Sequence, residues 1–218
     1  MNTLFSFLVN EDNGLTTAGY VVSAIIIFLL IILASLLAGN KRKIGVKELT
    51  FSALALALAY VTSTFEMIKM PMGVAVTPFS MLFVTLIGYW YGPATGLTAA
   101  IAYGFLQLIQ GPYIVTLPQV LMDYVFAFGA LGLSGFFHKA KNGLVIGYVV
   151  GIIGRFVFSF LSGVIFFGEY APEGWSPEAY SAAYNGAYIF LEGAITIVLL
   201  LIPAVKFAME RVKQMAVS

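Results

Sequence analysis

Asp123 stands inside an otherwise apolar stretch, Leu117-Pro-Gln-Val-Leu-Met-Asp-Tyr-Val-Phe-Ala-Phe. An ionised side chain within a bilayer costs roughly 2.5–3.5 kcal/mol on insertion scales, so it has a partner or a task. Gln119 lies four residues earlier and shares its helix face. Tyr124 follows directly, and Gly111-Pro-Tyr113 closes the preceding turn. Tyr180, Tyr184 and Tyr188 recur every four residues near the start of a later helix, with Asn185 beside them. A carboxylate, an amide and several aromatic rings suit a cationic ligand, because aromatic faces attract cations. Tyrosines near helix ends also form interfacial belts, and composition alone leaves that reading open for them.

Two further charges sit deep in apolar sequence. Arg155 and Glu192 both lie about 20 Å from the same membrane face at 1.5 Å per residue. Intramembrane charges tend to pair, so a structural ion pair between them is expected. In Phe51-Ser-Ala-Leu-Ala-Leu-Ala-Leu-Ala, the pairs Ala53/Ala57 and Ala55/Ala59 have the spacing that lets a second helix approach closely. That stripe serves either packing within the bundle or docking of another subunit.

No His-Glu-x-x-His, Gly-x-Ser-x-Gly or P-loop pattern occurs, so no enzymatic activity is expected. No cofactor or metal is expected either. His138, the single histidine, sits beside Lys139 in a basic loop and has a topological role. Cysteine is absent, which excludes disulfides and thiolate chemistry.

The elements that position these residues are membrane helices. The chain is 61% hydrophobic and 10% charged, with a net charge of +1. Its mean hydropathy is +0.97. Lipid is the solvent that suits such a chain, and nothing in the charge pattern suits nucleic acid. Spans are expected at about 17–39, 46–66, 77–91, 93–110, 117–137, 143–168 and 179–208, the third too short to cross fully. The first is too long for a signal peptide, is preceded by Glu11 and Asp12, and is followed by Lys41-Arg42-Lys43. Basic residues Lys41, Arg42, Lys43, Lys47, Lys139, Lys141, Lys206, Arg211 and Lys213 fall on one side. The acids Glu11, Asp12, Glu169, Glu173 and Glu178 fall on the other, with Lys69 as the single base there. The positive-inside rule gives a multi-pass plasma-membrane protein with its N-terminus outside and its C-terminus cytoplasmic. No internal repeat is visible, which weakens an inverted-repeat carrier.

From about Val46 onward the chain resembles the thiamine-specific substrate-binding (S) components of bacterial energy-coupling-factor vitamin transporters. The resemblance rests on Ala53-Leu-Ala-Leu-Ala-Leu-Ala, Lys69-Met-Pro-Met-Gly-Val-Ala-Val-Thr, Tyr103-Gly-Phe-Leu-Gln and Gly111-Pro-Tyr-Ile. It continues through Pro118-Gln-Val-Leu-Met-Asp-Tyr, Ala127-Phe-Gly-Ala-Leu-Gly-Leu-Ser-Gly and Arg155 with Ser162-Gly-Val-Ile-Phe-Phe. Glu169-Tyr-Ala-Pro-Glu-Gly and Tyr184-Asn-Gly-Ala-Tyr complete it. The order and spacing together are specific, although no single segment is.

The resemblance implies an all-α polytopic fold. A six-helix bundle over residues 46–218 holds the vitamin near the extracellular face, and residues 1–45 are an extension with one extra transmembrane helix, expected to pack peripherally. It implies capture of thiamine for ATP-driven uptake by a transmembrane coupling subunit and two cytosolic ATPases. Ala53, Ala55, Ala57 and Ala59 take the place of the family's docking surface for the coupling subunit. Asp123 stands where the family has an acid that recognises the vitamin, and Tyr113, Tyr124, Tyr180 and Asn185 match pocket positions. The sequence departs from the family pattern at Ser159 (a histidine in the family), Phe167 (a tryptophan), Ile68 (a tryptophan) and Pro71-Met-Gly-Val. A close pyrimidine or thiazole relative of thiamine is therefore also a candidate ligand. The rival reading is a self-contained ion-coupled carrier of a small cation, with Asp123 as its ion site.

Overall fold

A computed structural model describes residues 7–9, 15–22, 25, 45–69 and 75–218. Six helices form the bundle: α1 Val46–Ser63, α2 Ser80–Tyr91, α3 Pro93–Gln107, α4 Leu117–Phe137, α5 Gly143–Phe166 and α6 Pro177–Leu201. Helices α1, α4, α5 and α6 are long and apolar enough to cross a membrane. Helix α2 is apolar but has only 12 residues, roughly 18 Å, matching the expectation of a partial span. It is preceded by an antiparallel pair, β1 Ile68–Lys69 and β2 Ala75–Val76, with Ile68 opposite Val76. The expected first span, 17–39, lies largely outside the described residues, as does the separator 70–73.

The helix boundaries follow local chemistry. Pro93, Pro118 and Pro177 sit in the first turns of α3, α4 and α6, where an N–H is not needed. Thr116 and Ser176 cap α4 and α6 by accepting the backbone N–H groups of Gln119 and Ala179. The expected last span, 179–208, does not continue through. It stops at Leu201 because Pro203 forces Ile202 into extended backbone (φ −67°, ψ 123°). A separate amphipathic helix, α7 Pro203–Val217, follows. Tyr91 Oη donates to the Ala216 carbonyl (3.1 Å), and Lys213 Nζ donates to the His138 carbonyl (2.5 Å), pinning α7 to the end of the bundle where α2 and α4 finish. His138 lies at this end, its Nδ1 2.7 Å from the Gly135 carbonyl.

Helix α4 is not uniform. Its first turn is α-helical, Leu121–Phe126 is π-helical, and Ala130–Phe137 winds as a tighter 3-10 helix. The narrow end suits close packing: a Cβ on Gly132 would lie 2.5 Å from Leu97 Cα on α3. Around it the core is filled by Met81, Ile87, Tyr103, Leu131, Tyr148 and Ile189, all nearly inaccessible. The wide segment is approached by Gly104 of α3, where a Cβ would overlap the Tyr124 carbonyl oxygen.

The alanines of α1 divide between two faces. Ala55 and Ala59 are buried against the bundle, and the Ala59 carbonyl accepts from Tyr103 Oη at 3.0 Å. The expectation that they form a docking surface is therefore corrected: their spacing serves internal packing. Ala53 and Ala57 face outward beside the exposed Leu54 and Leu58.

The expectation of a peripheral N-terminal extension meets a contrary detail. Val9 is buried and packs with Leu108, Ile114 and Val120, with Tyr124 alongside. Thr16 caps a helical stretch at 17–22 by accepting the Gly19 N–H, and its hydroxyl donates to the Phe7 carbonyl at 2.6 Å.

Candidate functional site

At the end of the bundle opposite His138, helices α4, α5 and α6 enclose a cavity of about 560 Å³ with the 110–113 and 167–170 segments around it. All nine residues singled out as ligand-binding reach its lining: Asp123, Tyr124, Tyr113, Gln119, Ser159, Phe167, Tyr180, Tyr184 and Asn185.

Asp123 is half-buried on the π-helical part of α4. Such bulges recur at functional sites because they re-aim side chains. Gln119, one turn away, is 1% exposed and fully engaged. Its Nε2 donates to Asp123 Oδ2 (2.6 Å) and the Tyr113 carbonyl (3.4 Å), while its Oε1 accepts the Val115 N–H (3.2 Å). Gln119 therefore orients the carboxylate and ties it to the preceding loop, rather than offering a free amide to a ligand.

Asn185 is used in the same way. Its Nδ2 donates to the carbonyls of Ser159 (3.2 Å) and Ser181 (3.1 Å), and its Oδ1 accepts from Tyr188 Oη (3.1 Å). This stitches α5 to α6 where Gly163 faces Ser181, a contact too close for any side chain at 163. Ser159 is buried at the same junction.

Aromatic rings form the rest of the wall. Tyr113 and Tyr170 join through their hydroxyls at 2.9 Å, and Phe167 packs 6.2 Å from the Tyr113 ring and 6.1 Å from the Tyr170 ring. Tyr113 and Tyr170 are about half exposed, so this trio forms the mouth. The hydrogen bond shared with Tyr113 pushes the Tyr170 phenol pKa up. Tyr180, Tyr184 and Tyr188 run down α6 with centroids 5.7 and 6.3 Å apart. Tyr124 stacks against Phe128 at 6.4 Å.

The expected Arg155–Glu192 ion pair is corrected. Glu192 is 4% exposed and serves the start of α2. It accepts from Thr77 Oγ1 (2.7 Å), Ser80 Oγ (3.3 Å) and the Met81 backbone N–H (3.1 Å). A helix N-terminus carries unpaired N–H groups and positive potential, and Phe79 in left-handed backbone (φ 63°) supplies no cap of its own. Arg155 turns instead to the cavity, its Cζ 4.3 Å above the Phe128 ring and 5.7 Å from the Tyr188 ring. No ion pair joins it to Glu192 or Asp123 among the described residues.

Sequence reasoning missed Arg155, Phe128 and Tyr170 as cavity residues. A signal existed for the first: Arg155, Ser159 and Gly163 recur every four residues and all line the cavity. Tyr170 is three residues beyond Phe167, within one turn of 3-10 helix.

Comparison with known proteins places this arrangement. The solved structure of ThiT from Listeria monocytogenes superposes with a TM-score of 0.58 at 25% identity, covering 72% of this chain and 96% of that one. The thiamine transporter ThiT of Bacillus subtilis is 33% identical over 170 residues, 70% of this chain and 87% of its own. The ThiT of Lacticaseibacillus paracasei is 27% identical over 164 residues, 67% of this chain and 79% of its own. The family model described as thiamine transporter protein (Thia_YuaJ) matches residues 49–211, nearly the whole bundle. A multi-pass helical membrane protein with an aromatic, acid-bearing cavity at one end, this chain belongs to the thiamine transporter protein family.

Proposed function

We propose that this chain is the substrate-binding subunit of an energy-coupling-factor transporter and captures thiamine, or a close pyrimidine or thiazole relative, from outside the cell. The observation that carries this reading is Asp123, held at 2.6 Å by Gln119 within an aromatic cavity of about 560 Å³. That volume falls in the roughly 300–1,000 Å³ range of small-molecule sites. Thiamine combines a cationic thiazolium with an aminopyrimidine. An acid among tyrosine and phenylalanine rings recognises both features.

Charge supports the orientation. Lys139, Lys141, Lys206, Arg211 and Lys213 gather at the His138 end, and Glu169, Glu173 and Glu178 at the cavity end. With basic residues on the cytoplasmic side, the cavity opens to the exterior and the C-terminus is cytoplasmic. Residues 46–218 make the vitamin-binding unit, and 1–45 are an extension. A transmembrane coupling subunit and two cytosolic ATPases supply transport. The outward face of α1 with Ala53 and Ala57 is the surface on which the coupling subunit docks.

Titrating the purified protein with thiamine, read by tryptophan fluorescence and by calorimetry, tests the binding. Trp175 lies in the loop above the cavity and is 49% exposed, so closure changes its surroundings. Saturable binding, weakened more for thiamine than for an uncharged analogue by Asp123→Asn, is the expected result. Absence of binding by a folded protein removes thiamine as the ligand. Uptake by this chain alone in proteoliposomes under an ion gradient replaces the reading with a self-contained carrier.

A further inference from the structure

A second cavity, of about 460 Å³, lies at the other end of the bundle. The start of α1, the end of α2, the turn at His138 and the end of α7 line it. Its volume also falls in the roughly 300–1,000 Å³ range of small-molecule sites. Capture of a vitamin in the aromatic cavity makes no use of it.

The wall of this cavity is rich in donors that lack acceptors. Trp90 lines it, is 7% exposed, and its buried Nε1–H has no hydrogen-bond partner. An indole nitrogen donates and never accepts, so only an acceptor satisfies it. Unsatisfied buried donors are uncommon, and each asks for an explanation. The ring is fixed by edge-on contacts with Phe51 at 5.9 Å and Tyr91 at 6.1 Å. Helix α1 opens at Gly45 without a side-chain cap, and a Cβ on Gly45 would meet nothing within 4 Å. The first N–H groups of a helix lack intrahelical partners and carry positive potential. Lys47 and Lys139 add two exposed positive charges. Neither makes an ion pair among the described residues, and Lys47 Nζ donates to a neutral group, Ser218 Oγ, at 3.3 Å. Glu48 is the one acid among the described lining residues. It is buried in the first turn of α1 and accepts from Thr95 Oγ1 of α3 at 2.8 Å. The cavity stands where α1 begins and α2 ends, at the depth of lipid headgroups rather than of acyl chains. Val217 on its wall and Val46 beside Lys47 are exposed apolar side chains.

We propose that this cavity is a second binding site, which takes a phosphate group borne by a phospholipid headgroup or by a soluble phosphate ester. The phosphate oxygens accept from Trp90 Nε1, from the Lys47 and Lys139 ammonium groups and from the first N–H groups of α1. In a phospholipid, the acyl chains then run past Val46 and Val217. The site stands whatever the aromatic cavity binds. Its occupant ties the start of α1 to the end of α2 and to the turn after α4.

Trp90 and Trp175 are the two tryptophans of the chain, so Trp175→Phe leaves Trp90 as a reporter inside the site. This full-length variant, in an uncharged maltoside detergent, is titrated with dihexanoyl phosphatidylglycerol, glycerol phosphate and dihexanoylglycerol. A saturable change in Trp90 emission with a phosphate-bearing probe, and none with dihexanoylglycerol, is expected. Half-saturation by glycerol phosphate within tenfold of the phospholipid makes a soluble ester the source. A weaker response than that, or none, makes the lipid headgroup the source. Adding Lys47→Gln and Lys139→Gln together is expected to weaken binding about tenfold or more, the range of hydrogen bonds to charged groups. Trp90→Phe keeps a ring, removes the N–H and is expected to weaken binding several-fold, read by calorimetry on the otherwise wild-type protein. No response to either phosphate-bearing probe, or a response to dihexanoylglycerol equal to that with the phospholipid, overturns the proposal. Full affinity in the double lysine variant, or in a folded Trp90→Phe protein, overturns it too. Both lysines are exposed, so the double variant decides the matter even where Trp90→Phe does not fold.

Discussion

Gln119 Nε2 lies 2.6 Å from Asp123 Oδ2, while the rest of the Gln119 amide is tied to the backbone of Tyr113 and Val115. The carboxylate is thus fixed to the loop that carries the mouth residue Tyr113. Binding-site acids work best when a neighbour limits their rotation, since orientation entropy is then spent in folding rather than in binding.

Gln119→Leu keeps the volume and removes every one of these bonds. A hydrogen bond to a charged group contributes about 1.5–3 kcal/mol. Thiamine affinity is expected to fall about tenfold or more, although Gln119 itself need not touch the vitamin. Calorimetry on the variant, with Gln119→Glu as a companion that sets a second acid beside Asp123, checks this. Unchanged affinity in Gln119→Leu would show that Asp123 needs no support.

Gly104→Ala places a methyl group on the Tyr124 carbonyl, at the edge of the π-helical segment. Overpacking of this kind costs about 1–3 kcal/mol. A lower melting temperature in detergent and weaker thiamine binding are expected together, because the displaced segment carries Asp123. A fall in melting temperature with intact affinity would separate packing from the site.

At the mouth, Tyr113→Phe and Tyr170→Phe each remove one partner of the 2.9 Å hydroxyl contact and keep the ring. The contact is exposed, so stability should change little. Release of thiamine should quicken several-fold in stopped-flow fluorescence while association stays near its original rate, as is usual for changes within one interface. Equal changes in both rates would count against a closing role for this pair.

Val9→Asp tests the extension. Val9 packs on Leu108, Ile114 and Val120 behind Tyr124. A charge there is expected to detach the segment and weaken thiamine binding several-fold, measured against the wild type in the same titration. Unaltered binding would make residues 1–45 dispensable to the site.

Much of this architecture is legible in the sequence. The prolines and glycines that separate the spans fall at the observed helix ends, and Asp123, Tyr113 and the Tyr180–Tyr188 stripe converge as their spacing suggests. Other features depend on tertiary neighbours. Ala53/Ala57 and Ala55/Ala59 have identical spacing, and only the position of α2 and α3 decides which pair is buried. Glu192 and Arg155 sit at similar depths, so pairing was the simplest expectation. The start of α2, a short helix beginning within the bundle, competes successfully for Glu192. The break at Ile202 was signalled by Pro203, but the apolar run on its N-terminal side masks it. Nothing in Leu121–Phe126 announces a π-helix.

That segment of α4 has a consequence for descent with modification. A π turn accommodates one residue more than the α-helix around it, and one residue is worth about 100° of rotation. The stretch before Leu121, with Thr116 and Gln119, and the stretch after Phe126, with Phe128, therefore keep different angular phases. Deleting a single residue between them would close the wide turn to an α turn, keeping Gln119 and Phe128 on their bearings while moving the side chains within the segment, Asp123 among them. A one-residue change of length here is therefore absorbed by the turn, which re-aims the side chains of Leu121–Phe126 and leaves the helix on either side in place.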